Sequence, residues 1–186
     1  MMRLTKRVLV IVLLLAPITT WARPACAASA AEIDGRVTAA LKTLYSNNNT
    51  AKVLGEKAKA VLVFPSILKA GFIVGGHGGN GALRKGNKTV GYYNTAAASW
   101  GLQAGVQEFG YALFFMNESA LEYLNKSDGW EIGTGPSLVV VDKGFGKNLS
   151  STTLKEDVYA IIFSQKGIMG GIGIQGTKVT KINPDP

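Results

Sequence analysis

Residues 61–94 read VLVFPSILKAGFIVGGHGGNGALRKGNKTVGYYN. Val61 to Phe64 is a short apolar run that stops at Pro65. Ala70 to Leu83 is apolar and dense in glycine. Arg84-Lys85-Gly86-Asn87-Lys88 is a tight basic turn, and Thr89 to Tyr93 is rich in β-formers. Gly86 and Asn87 both tolerate positive φ, so the pair between two β-like runs predicts a hairpin. Three cations, Arg84, Lys85 and Lys88, then stand at its tip. Such a stretch presents a binding surface and supplies no reaction mechanism.

Upstream, the first 27 residues read as a leader. Arg3, Lys6 and Arg7 form a positive segment, Val8 to Ile18 is apolar, and Ala25-Cys26-Ala27 is a small-x-small site. This is the pattern of a secretory signal peptide, with cleavage expected after Ala27. The apolar run is about half of the ~20 residues that a membrane span needs. Retention of Cys26 as a lipidated first residue would call for a Leu-like residue three places earlier, where Arg23 stands. Cleavage after Ala27 leaves no cysteine, hence no disulfide, thiol nucleophile or thiolate metal site. Residues 28–186 are then a single domain, long enough to bury a core.

Loss of Arg3, Lys6, Arg7 and Arg23 lowers the formal charge from +8 to +4. What remains is uneven. Between Arg36 and Lys88 there are nine Lys or Arg and one acid, Glu56. A basic half beside an acidic half points to a surface for anions.

Ser29 and Glu32 form a capping box, so a helix should start there. Ile33, Val37, Ala40, Leu41, Leu44 and Tyr45 follow on one face, and Asn47 to Asn49 end it. Thr50 can cap a second helix carrying Val53, Leu54 and Ala58. Ala96 to Met116 predicts two strands or one long bent strand, with Gly101, Gly105 and Gly110 at bends. Asn117 caps a short helix, Glu118 to Lys126, with Leu121 and Leu124 inward. Asp128-Gly129 is a turn. Trp130 to Gly133, Ser137 to Val141, Val158 to Ser164 and Gly167 to Val179 are strand candidates. Asp142 to Thr153 is a loop, and Gln165-Lys166-Gly167 a turn.

Gly75 to Gly81 and Gly170 to Gly176 both fit G-G-x-G-x-x-G. They contain the dinucleotide fingerprint, but no helix opens on either, as that fingerprint requires. Both read instead as glycine-rich strands, side by side, where backbone or ligand comes close. His77 is the only histidine, so paired-histidine metal sites are excluded. No nucleophile elbow is present. Asp142, Glu156 and Asp157 could pair for acid–base work, but no spacing singles them out. Asp128 and Glu131 do not fit a calcium loop. The chain is expected to be no enzyme and to carry no cofactor or metal.

The run Ala58-Lys59-Ala60-Val61-Leu62-Val63-Phe64-Pro65-Ser66-Ile67-Leu68-Lys69-Ala70-Gly71-Phe72, with Gly75, Gly76 and Gly81, resembles the opening signature of the SYLF domain. Trp100-Gly101-Leu102-Gln103-Ala104-Gly105, Asp157-Val158-Tyr159-Ala160 and Gly167-Ile168-Met169-Gly170-Gly171 extend the resemblance from about Ser29 to Lys181. SYLF domains are the lipid-binding domains of SH3-linked yeast actin-patch proteins and their relatives, with exported bacterial members. The resemblance implies binding of anionic phospholipids and, in yeast members, of actin. An amphipathic N-terminal segment contacts membranes in eukaryotic members. Here that place holds the leader and a helix with Glu32 and Asp34 in its first turn.

The expected fold is α+β: N-terminal helices on a strongly curved antiparallel glycine-rich sheet, barrel-like or sandwich. The expected function is recognition of anionic phospholipid headgroups by Arg84, Lys85 and Lys88, helped by Lys57, Lys59 and Lys69. The chain is expected in a bacterial periplasm or outer envelope, soluble or peripherally bound to membrane, without nucleic-acid partners. The alternative is a structural or envelope-interaction protein that docks on a protein partner or self-associates.

Overall fold

A computed structural model describes residues 28–126, 129–141, 154–167 and 174–186. The leader with Cys26, the Asp142 to Thr153 loop, Asp128 and most of the second glycine segment lie outside them. The described elements are helices α1 (Ala30–Asn47), α2 (Asn49–Lys57) and α3 (Glu118–Lys126). The strands are β1 (Ala60–Lys85), β2 (Lys88–Phe115), β3 (Trp130–Glu131), β4 (Leu138–Val140), β5 (Val158–Gly167) and β6 (Lys178–Ile182).

The helix starts are local chemistry. Ser29 Oγ accepts from the Glu32 backbone N–H at 3.3 Å. Asn117 Oδ1 accepts from the Ala120 N–H at 2.9 Å and caps α3, whose Leu121 and Leu124 are buried. Asn48, rather than Thr50, caps α2: its Oδ1 accepts from the Ala51 N–H at 3.0 Å. Thr50 is instead buried inside the first turn.

One long hairpin organises the sheet. β1 and β2 pair antiparallel along their length, from Ala60 opposite Phe115 to Lys85 opposite Lys88. The other edge of β2 pairs with β5 over Gln107–Phe115 and with β6 over Tyr92–Ala96. β3 extends β6, and β4 lies outside β5. The β4–β5 pairing is parallel, so the sheet is mixed and not wholly antiparallel. Ala96 to Met116 thus belongs to one bent strand that begins at Lys88. β1 does not stop at Pro65; its register with β2 shifts between Phe64 and Ile67, a bulge that accommodates a residue lacking an N–H. β5 likewise runs to Gly167, through the expected turn at Gln165 to Gly167.

The sheet curls into a half-barrel. The Thr95 and Tyr111 hydroxyls, both on β2, lie 2.6 Å apart. A straight strand would separate them by about 50 Å at ~3.3 Å per residue, so β2 folds back on itself. β1 does the same. A Cβ on Gly79 or Gly81 would strike the Ser66 or Val63 carbonyl oxygen respectively, so only glycine lets these backbones cross so closely.

Both faces of the sheet are buried. Leu62, Phe64, Tyr93, Phe109, Tyr111 and Phe115 pack inside the curl with Trp130 and the apolar face of α3. Val61, Val63, Ala82, Phe114 and Tyr159 pack on the other face against Ile33, Val37, Leu44 and Leu54 of α1 and α2. This double burial explains the unbroken apolar run Val61 to Phe64. Each large apolar side chain so buried contributes about 1.5–3 kcal/mol.

Candidate functional site

Lys85 and Lys88 face each other across the two-residue turn Gly86-Asn87. Gly86 has φ 56, the left-handed value such a turn requires. Both lysines are exposed. Lys85 Nζ lies 3.6 Å from Glu118 Oε2, with both side chains about half exposed or more. A pair so open to water contributes little and leaves the charge available.

Arg84 has a different place. Its side chain is 12% exposed, and its Nη2 lies 3.8 Å from Asp34 Oδ1. Nη2 donates to the Thr38 hydroxyl at 2.7 Å and to the Asp34 carbonyl at 3.2 Å, and Nη1 donates to the Asn87 carbonyl at 3.1 Å. Nε is buried with no hydrogen-bond partner among the described residues. The Asp34 carboxylate accepts from the Thr89 hydroxyl at 2.6 Å and from the Tyr92 hydroxyl at 3.0 Å. Arg84 and Asp34 therefore brace the hairpin turn against α1.

Lys57 sits in the last turn of α2, the helix end that favours cations, and Lys59 follows it; both are exposed. Lys69 departs from the group. It is 9% exposed and lies on β1 opposite Gln107, whose Oε1 is buried without a partner among the described residues. Burial, and then the positive charge of Lys69, hold His77 below the usual imidazole range. His77 Nε2 lies 3.2 Å from Thr177 Oγ1, and its ring meets Phe109 edge-on at 6.0 Å. Thr177 directly follows the second glycine segment, so the described end of that segment reaches the first.

Asp157 is engaged by Ser137 and Asn117. Its carboxylate accepts from the Ser137 N–H at 2.9 Å, the Ser137 hydroxyl at 3.0 Å and the Asn117 amide at 2.6 Å. The Ser137 N–H and Asn117 hold it below the usual carboxylate range. Among the described residues no three His, Cys, Asp or Glu side chains are grouped to hold a metal, and no helix is long and apolar enough to cross a membrane.

A groove of about 590 Å³ connects α1 and α2 to the turn. It brings Lys52 and Glu56 of α2 to the same opening as Arg84, Gly86 and Asn87. Lys52 belongs to the basic block of the sequence, yet nothing local marks it as a neighbour of the turn.

A helix-covered half-barrel that displays a braced cationic turn is a binding domain. Residues 96–184 match the family model of Ysc84, described as Las17-binding protein actin regulator. The matched residues agree with the SYLF-domain resemblance read from the sequence. The match begins within β2 and takes in α3 and β3 to β6, while α1, α2 and β1 precede it. No curated protein matches the chain.

Proposed function

We propose that the chain is an exported, non-catalytic module that binds anionic phospholipid headgroups at a membrane surface. Lys85 and Lys88 make the contact, with Lys57 and Lys59 adding to the field. The observation that carries this reading is the pair of exposed lysines across a two-residue turn whose base is braced by Arg84 and Asp34. A braced turn loses little freedom on binding, and each cation near an anionic surface contributes about 1 kcal/mol. Arg84 serves as the brace, and Lys69 stays inside. Export rests on the leader pattern of residues 1–27.

Co-sedimentation of the purified protein with neutral and with anionic vesicles, at low and high salt, tests the reading. Binding to anionic vesicles alone, weakened by salt and abolished in Lys85→Glu/Lys88→Glu, is expected. Equal binding by the charge-reversed variant would remove the site. One observation favours docking on a protein instead. Leu68 and Val106 are 58% and 59% exposed, and the register of β1 and β2 sets them diagonally on one face. Lipid-independent self-association, lost in Leu68→Ser/Val106→Ser, would support that reading.

A further inference from the structure

Lys85 and Lys88 share the turn but have different surroundings. Lys85 Nζ lies 3.6 Å from Glu118 Oε2, with the two side chains 48% and 60% exposed. Among the described residues Lys88 forms no ion pair. The turn therefore presents one cation with a carboxylate beside it and one without.

The contact is a product of closure. Glu118 opens α3 just after β2 ends at Phe115, whereas Lys85 ends β1 just before β2 starts at Lys88. A straight strand of that length would hold its ends about 90 Å apart at ~3.3 Å per residue. The curl brings them together. Glu118 stands in the first turn of α3, where the helix dipole favours a carboxylate. Asn117 fixes that helix start, accepting from the Ala120 N–H at 2.9 Å and donating to the Asp157 carboxylate at 2.6 Å. The backbone that carries Glu118 is thus anchored beside the turn. Asp34, the acid on the α1 side, is taken up by Arg84 and by the Thr89 and Tyr92 hydroxyls.

An anion that binds Lys85 has to take the place of the Glu118 carboxylate. An exposed pair is worth about two- to fivefold in an equilibrium constant. A sparse anionic surface loses that factor at Lys85. A dense one offers several headgroups at once and overcomes it. A repulsive group beside an attractive one is a general means of discrimination.

We propose that Glu118 is an internal competitor for Lys85 and sets the density of negative charge that a surface must present before it is bound. The proposal rests on the lipid-surface reading above and adds a threshold to it. Lys88 makes the first contact, and Lys85 joins on densely anionic surfaces.

Co-sedimentation of the purified protein with phosphatidylcholine vesicles carrying increasing shares of phosphatidylglycerol, at constant salt, tests the threshold. Glu118→Gln should bind about two- to fivefold more tightly and reach half-binding at a lower phosphatidylglycerol share. Glu122→Gln removes the same charge one turn further along α3, from an exposed pair with Lys126, and should change binding far less. In a Lys85→Gln background the gain from Glu118→Gln should vanish, the mark of a direct pair. No gain in Glu118→Gln, an equal gain in Glu122→Gln, or a gain that survives in Lys85→Gln would overturn the proposal and leave the lipid-surface reading standing. Wild-type protein that binds no phosphatidylglycerol vesicle would remove that reading and the threshold with it.

Discussion

Arg84 Nη2 donates to the Thr38 hydroxyl at 2.7 Å, across 46 residues of sequence. The same nitrogen reaches the Asp34 carbonyl at 3.2 Å. The first cation of the basic turn is thereby a strut between the hairpin and α1, and the charge at the tip passes to its neighbours Lys85 and Lys88. Strut and contact are separable by mutation.

Arg84→Ala should lower stability by about 1–3 kcal/mol, because it leaves the partly buried Asp34 groups short of a donor. Urea unfolding measures the loss. Binding of the folded variant to anionic vesicles should fall much less than in Lys85→Glu/Lys88→Glu, which should in turn unfold within about 0.5 kcal/mol of wild type. The opposite pattern would make Arg84 a ligand contact.

His77 should make stability depend on pH. Its folded-state value lies below its unfolded value of about 6.5, chiefly through burial and then through Lys69. The unfolded chain therefore binds more protons in this window. Stability should be full above about 6.5 and decline as pH falls from there through the lower folded value. His77→Gln should flatten the urea midpoint between pH 7.5 and 5. A midpoint that falls equally in both proteins would assign the dependence elsewhere.

Asp157 should act in a separate, more acidic window. Its carboxyl is held below the usual range by the Ser137 N–H and by Asn117, so its contribution is present above about pH 4 and lost as pH falls below it. Asp157→Ala should cost about 1–3 kcal/mol at neutral pH by freeing β4 and the α3 cap together. Hydrogen exchange at Val141 and Ala120 would report it, since the Val141 N–H bonds the Ala160 carbonyl and the Ala120 N–H bonds Asn117.

Three glycine substitutions should rank by what surrounds each position. Gly81→Ala drives a Cβ into the Val63 carbonyl, where backbone cannot yield, and should cost about 3 kcal/mol or more. Gly86→Ala meets open space but keeps φ 56, and should cost about 1–2 kcal/mol. Among the described residues Gly76→Ala meets only the Ala97 carbonyl, at 3.2 Å, and should be mildest. Thermal midpoints in any other order would contradict the crossing of β1 on itself.

Features written in a few adjacent residues are legible in the chain itself. Ser29 caps α1, Asn117 caps α3 and Gly86-Asn87 turns the hairpin because each depends on groups within about four residues. The α+β class and the curvature follow from apolar periodicity and glycine density. The family resemblance is carried by spaced glycines and by Val63-Phe64-Pro65. The choice of Asn48 over Thr50 as the cap of α2 is not, since both side chains qualify and packing buries Thr50.

The site divides along the same line. A run of cations at Arg84, Lys85 and Lys88 can be read from the chain, but their roles cannot. Whether a cation meets water or a carboxylate depends on residues such as Asp34 and Thr38, brought near only by the docking of α1. Lys69 looks like any surface lysine in sequence, yet the curl of β1 turns it inward beside His77. Lys52 joins the turn only because α2 packs over the start of β1. Local backbone chemistry thus determined where helices begin and where the hairpin turns. Burial and pairing of charges arise from long-range closure of the sheet, and only the tertiary structure decided which cations brace the fold and which face solvent.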